Sequence, residues 1–212
     1  MKMKVRTKIL SAILHDGPCS QAELARKCVA SPSAVSEECR RLIGEGILLR
    51  VGRHSSASGR GGALLGIDIT RRFAVGIGLC RGVISAGIIT LDGRTLEKDT
   101  AAICKADSID SASSESDSSE RIIANASEML LRLFKNCCLS GENVLGIGVC
   151  MDSELSKRLG SDIISRLANG YPAFFEPADE YLAYSQAYMP INPEEMYVFG
   201  GAKVIRELLL KN

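Results

Sequence analysis

Two helix-start signals stand eleven residues apart near the N-terminus, and together they restrict what the first sixty residues can build. The first, Ser20-Gln21-Ala22-Glu23, is a capping box: the serine oxygen takes a first-turn backbone N–H while the glutamate reaches back to the serine's own N–H. The second is Ser31-Pro32, with serine as N-cap and proline in the first helical position, where its missing N–H costs nothing. A helix opened at Ser20 must therefore end near Cys28, and the chain must turn through Cys28-Val29-Ala30 into a new one. Upstream, Val5, Ile9, Ala12 and Ile13 recur at helical spacing until Asp16-Gly17-Pro18 stops the run. The expectation is three short helices with a tight turn between the second and third.

In the third helix Val35, Cys39 and Leu42 fall at i, i+4 and i+7 and can pack inward. That leaves Ser33, Ala34, Ser36, Glu37, Arg40 and Arg41 on or near the outer surface. With Ser31 at its start, the helix leads with small polar residues, which fit a DNA major groove. Glu37 reads either as an acceptor for a cytosine amino group or as a solvated helix-face charge. Glu45-Gly46 closes the helix, Ile47-Leu48-Leu49-Arg50-Val51 reads as a strand, and a polar segment follows from Gly52 to Gly62. That segment suits a wing in which Arg53, His54 and Arg60 reach phosphates or the minor groove. It equally suits an interdomain linker, and the whole head could serve as a protein-interaction module instead.

Charge favours the nucleic-acid reading. The net charge is only +1, but residues 1–60 hold eleven lysines and arginines against five acids. The remainder is acidic, so a basic head is joined to an acidic body, and phosphate neutralisation supplies most non-specific DNA affinity. The N-terminal stretch has no signal-peptide apolar region and no span of about 20 apolar residues. A cytoplasmic chain with no membrane partner is expected. The eight cysteines include no CxxC pair and have only His15 and His54 as imidazole partners, so reduced thiols are expected, with neither a metal site nor a cofactor.

Beyond Gly62, Leu64–Ile69, Phe73–Cys80 and Val83–Leu91 are apolar, glycine-containing runs that read as three consecutive strands. Asp107 to Ser119 is rich in serine and acid and should loop out. From Ser118 to Phe134, Ile122, Ile123, Ala126, Met129, Leu130 and Leu133 make an amphipathic helix, and Val144–Cys150 reads as a buried strand reached by a crossover. A helix over 161–168, a strand over 173–175, a helix near 179–188, a strand at Tyr197-Val198-Phe199 and a helix over 202–210 complete the reading. The fold class is α/β behind an all-α, winged N-terminal domain, with domains at 1–62 and 63–212.

The order of these elements, with Ser33-Ala34-Val35-Ser36 in the third helix, Gly59-Arg60 before Leu64-Leu65-Gly66-Ile67-Asp68, and Gly146-Ile147-Gly148-Val149, resembles the ROK family of repressors, open reading frames and kinases. The resemblance implies one lobe of an actin-like, ribonuclease H-like sugar-kinase fold. It also implies a repressor whose body senses a sugar or sugar phosphate; a homodimer on double-stranded DNA is expected because one winged head reads only a few base pairs. Glu176 and Asp179 are the candidate effector contacts, although a carboxylate beginning a helix also serves as a dipole partner. Kinase members carry a Gly-Gly-Thr-type phosphate loop after their first Asp, whereas this chain has Asp68-Ile69-Thr70-Arg71-Arg72. Where the family has Glu-Asn-Asp this chain has Glu176-Pro177-Ala178. That places Ala178 at the catalytic-base position unless a one-residue shift restores Asp179. Few residues follow Gly200-Gly201, too few for a second lobe or the family's zinc motif, so no catalytic residues and no enzyme activity are expected. A small sugar kinase is the alternative.

Overall fold

The computed structural model describes residues 4–53, 62–80, 82–103, 115–151, 153–159, 163–168, 170–178 and 192–207. The chain divides into a head that runs through Arg72 and a body from Phe73 to Val204.

The head contains α1 (Val5–Asp16), β1 (Cys19–Ser20), α2 (Gln21–Cys28), α3 (Pro32–Gly44), β2 (Leu48–Arg53) and β3 (Ala63–Ile67). Both caps form: Ser20 Oγ accepts from Glu23 N at 3.3 Å while Glu23 Oε2 accepts from Ser20 N at 2.8 Å, and Ser31 Oγ accepts from Ala34 N at 3.3 Å. The three helices pack on one another around Ile9, Leu10, Ile13, Leu24, Val35, Cys39 and Leu42, all buried. A three-stranded sheet in the order β1-β3-β2 flanks them.

The segment read from sequence as the body's first strand is thus the head's last. It pairs antiparallel with β2, Leu48 opposite Ile67 and Arg53 opposite Ala63. Asp68 is buried at its end, where Oδ1 accepts from Thr70 N at 2.9 Å and from Thr70 Oγ1 at 2.7 Å. Its carboxylate shapes the exit turn from the head's sheet.

The body begins with β4 (Phe73–Cys80), β5 (Val83–Thr90) and β6 (Thr95–Ala102), followed by α4 (Glu115–Asn136), β7 (Val144–Met151), α5 (Ser153–Leu159), α6 (Ile163–Ala168), β8 (Ala173–Pro177) and α7 (Tyr197–Ile205). The sheet order is β6-β5-β4-β7-β8. β4 runs antiparallel to β5 and parallel to β7, while β8 is parallel to β7. The body's first three strands therefore form a meander, and a helical crossover adds the parallel pair, giving a mixed sheet.

Alternation gives the sheet two unlike faces. On one, Val75, Ile77, Leu79, Ile84, Ile88, Ile147 and Val149 bury themselves against Ile122, Ala126, Met129 and Leu133 of α4 and Ile163 and Leu167 of α6. On the other stand Gly76, Gly78, Gly87 and Gly148, and α7 lies against them so closely that a Cβ on Gly76 would come 1.8 Å from the carbonyl oxygen of Tyr197. Tyr197-Val198-Phe199, expected as a strand, opens this helix. Tyr197, Gly200, Gly201 and Val204 are its buried residues, the i, i+3, i+4, i+7 pattern of a helix on a flat surface. Val204 is fully buried, and Leu208-Leu209-Leu210 lie outside the described residues.

β6 was not foreseen, and α4 starts at Glu115, inside the stretch expected to loop out; residues 104–114 and the helix expected near 179–188 lie outside the described residues. Within this helix Ser119 is buried, with Oγ donating to Leu159 O at 3.4 Å.

Candidate nucleic-acid interface

Ser31 Oγ stands 3.1 Å from Ser33 Oγ, so two hydroxyls and the uncapped first-turn N–H groups share the positive end of α3. Ser31, Ser33, Glu37 and Arg40 are exposed, Ala34 and Ser36 half-buried, and Val35, Cys39 and Leu42 sealed in the core. The helix presents one polar face outward, as its spacing requires.

Arg40 has no ion pair among the described residues, and the same holds for Arg50 and Arg53 on β2, all three exposed. These cations are available to phosphates. Arg41 is differently placed: it lies 3.3 Å from Glu38 and 3.4 Å from Glu45. The same two carboxylates grip Arg6 of α1, at 3.5 and 2.7 Å, and Arg6 is buried. Much of the Arg41 charge is therefore spent inside an α1–α3 clamp. Sequence reading missed that clamp because residues so far apart leave no local pattern.

At the end of β2 the register passes from Arg50 opposite Leu65 to Gly52 opposite Leu64, so Val51 is an extra, exposed residue that bulges the strand. The hairpin leaves the sheet at Arg53 and returns at Ala63. His54 and Arg60, expected on this loop, lie outside the described residues.

Each helix of the head hands on to the next segment through a residue with positive φ: Gly17 at 82°, Val29 at 51° and Gly46 at 72°. After α3, Gly46 N donates to Ile43 O and Ile47 N to Leu42 O, a Schellman ending with glycine in the left-handed position. After α2 the same two bonds recur, from Val29 N to Arg26 O and from Ala30 N to Ala25 O, but the left-handed residue is a valine. That backbone costs a residue with a Cβ roughly 1–2 kcal/mol, and Val29 is 87% exposed, so packing returns nothing within the chain.

In the body, Glu176 lies in β8 rather than at a helix start. It is buried, with Oε2 at 3.2 Å from Lys203 Nζ of α7. Ala178 is fully buried, its N–H donating to Met151 O at 2.9 Å, and it packs with Cys80, Cys150, Met196 and Phe199. Apolar side chains thus surround the residue that the resemblance puts at the catalytic-base position. Asp179 lies outside the described residues. β4, which holds the body's first-strand place, contains no acid, and the hairpin after it, Cys80 to Val83, offers a single glycine, Gly82. The phosphate-loop comparison drawn at Asp68 therefore belongs at this hairpin, and glycine-rich backbone is lacking here as well.

Residues 4–48 match a family model described as winged helix-turn-helix DNA-binding. The head is a winged helix-turn-helix. A crystal structure of a ROK family transcriptional regulator, homolog of the E. coli MLC protein, superposes with a TM-score of 0.57 at 17% identity. The match covers 85% of this chain and 47% of that one, so this chain spans about half that regulator's length and shares its fold. A MarR family regulator from Neisseria meningitidis aligns over 30% of this chain and 42% of its own at 21% identity, with a TM-score of 0.25, which carries no argument. No curated protein matches the sequence.

Within the winged head, Ser31, Ser33, Glu37 and Arg40 share the leading and outer parts of α3, and Arg50 and Arg53 stand on the strand that opens the wing. No described helix is long and apolar enough to cross a membrane, and no group of His, Cys, Asp and Glu suited to a metal occurs among the described residues.

Proposed function

We propose that this chain is a DNA-binding transcription regulator, with α3 of the winged head lying in the major groove and the wing following the backbone. The observation that carries the reading is the set of exposed arginines without ion pairs among the described residues, Arg40, Arg50 and Arg53, beside a capped helix whose leading residues are small and polar. Guanidinium groups left unpaired on one small domain release counterions on binding phosphates, whereas pairs such as Arg41–Glu45 do not. Ser31, Ser33, Ala34, Ser36 and Glu37 are the proposed contacts to base edges, and His54 and Arg60 the further proposed contacts to phosphates or the minor groove.

The body then serves regulation rather than catalysis. Ala178 in an apolar surround, and a first hairpin without a glycine-rich loop, supply neither a base nor a phosphate cradle for phosphoryl transfer among the described residues. A homodimer doubles the few base pairs that one winged head reads, and repression by occupying such a site is the simplest use of it. Glu176 and Asp179 are the proposed sugar contacts, and a sugar hydroxyl at Glu176 would have to share it with Lys203. Binding of labelled duplex at rising salt tests the head: Arg40→Ala and Arg53→Ala should each weaken binding and reduce the salt slope by about one unit, while Arg41→Ala does less. Unchanged slopes in the first two variants would refute the docking mode.

A further inference from the structure

Resting on that reading of the head, we infer that Val29 is a specificity-determining residue whose isopropyl group packs against the C5-methyl of an operator thymine. Three helix ends in the head demand positive φ, and glycine meets the demand at Gly17 and Gly46 while Val29 alone keeps a branched side chain. The side chain is 87% exposed, so nothing inside the chain explains it. It stands in the turn two residues ahead of Ser31, the cap of α3, next to the helix end proposed to enter the groove. There the contact chemistry narrows: phosphates offer an aliphatic group nothing, and among the base edges of the major groove only thymine presents an apolar group. A valine held in a costly backbone at the rim of that groove gains by covering such a methyl, and strain of this kind persists where a site uses it.

The test uses the full chain and a duplex chosen from a random pool, with each thymine of the site replaced in turn by deoxyuridine, which removes only the methyl. The wild type should lose on the order of fivefold in affinity at one position. Val29→Gly should show the same loss on the thymine duplex, no further loss on the uracil one, and a melting midpoint raised by roughly 4 °C. Val29→Ala should lose the same affinity without the thermal gain, separating contact from strain. Equal binding by Val29→Gly and wild type, or a loss that no uracil substitution reproduces, overturns the thymine contact while the head's DNA role stands. A wild type that binds no duplex removes that role, and this inference with it.

Discussion

A Cβ on Gly148 would stand 1.9 Å from the carbonyl oxygen of Gly200, so β7 and α7 meet backbone to backbone. A Cβ on Gly200 would in turn stand 2.2 Å from the Gly148 carbonyl oxygen. Neither partner is a movable side chain, so even one methyl forces α7 off the sheet. Gly148→Ala is expected to cost roughly 3 kcal/mol, at the high end for overpacking. Gly44→Ala serves as the control, since no atom comes within 4 Å of its Cβ position and its backbone is helical. Denaturant unfolding of both variants checks this, and equal midpoints would contradict the close approach.

Asp92 closes the β5–β6 turn, accepting from Thr90 Oγ1 at 2.5 Å and from Arg94 Nε at 2.7 Å. Burial pushes its carboxyl up, but the Thr90 hydroxyl, the Arg94 N–H and the Arg94 guanidinium outweigh that and hold it below the usual range. A group lowered in this way stabilises the fold above its unfolded value, about 3.9, and the contribution is lost as pH falls through the lower folded value. Asp92→Asn should therefore melt about 2 °C lower at pH 7 and lose part of the destabilisation seen below pH 4. Thermal melts from pH 7 to pH 2.5 decide it; parallel curves for the two proteins would count against the assignment.

Burial, with Cys28 and Glu38 nearby, pushes the Cys39 thiol up to about 11. Cys28 is raised as well, chiefly by burial. Both pack in the head's core, while Cys138 is exposed. A thiol-reactive reagent at pH 8 should modify Cys138 within minutes and reach Cys28 and Cys39 only in denaturant, because both access and thiolate are lacking. Peptide mapping by mass spectrometry reads the order, and native modification of Cys39 at the Cys138 rate would show the head's core to be open.

What the sequence made legible is what is local. Ser20 with Glu23, and Ser31 with Pro32, write two helix starts within four residues each, and the stripe from Ile122 to Leu133 writes α4. Partners across the fold carry no such mark. Leu64–Ile67 reads as an apolar strand in any sheet, and only its pairing with Leu48 and Leu49 assigns it to the head. Tyr197-Val198-Phe199 is too short to show a period, and its helical state is set by the glycine face it packs on. β6 alternates exposed and half-buried residues at a sheet edge, with too little apolar content to announce a strand. At the candidate interface the outward residues of α3 followed from spacing. The Arg6 clamp that occupies Arg41, the Glu176–Lys203 pair and the left-handed Val29 needed the tertiary contacts.

The central claim is that the winged head reads DNA through α3. Selection of duplexes from a random pool with the full chain, repeated with Arg40→Ala and with Ser33→Ala, tests it most directly, because enrichment reports sequence preference and half-site arrangement together. One recurrent motif is expected for the wild type, weaker recovery of the same motif for Arg40→Ala where a phosphate contact is lost, and a shift in the preferred bases for Ser33→Ala. A pool that stays random through successive rounds with the wild type, or a motif that both variants recover unchanged, would contradict it.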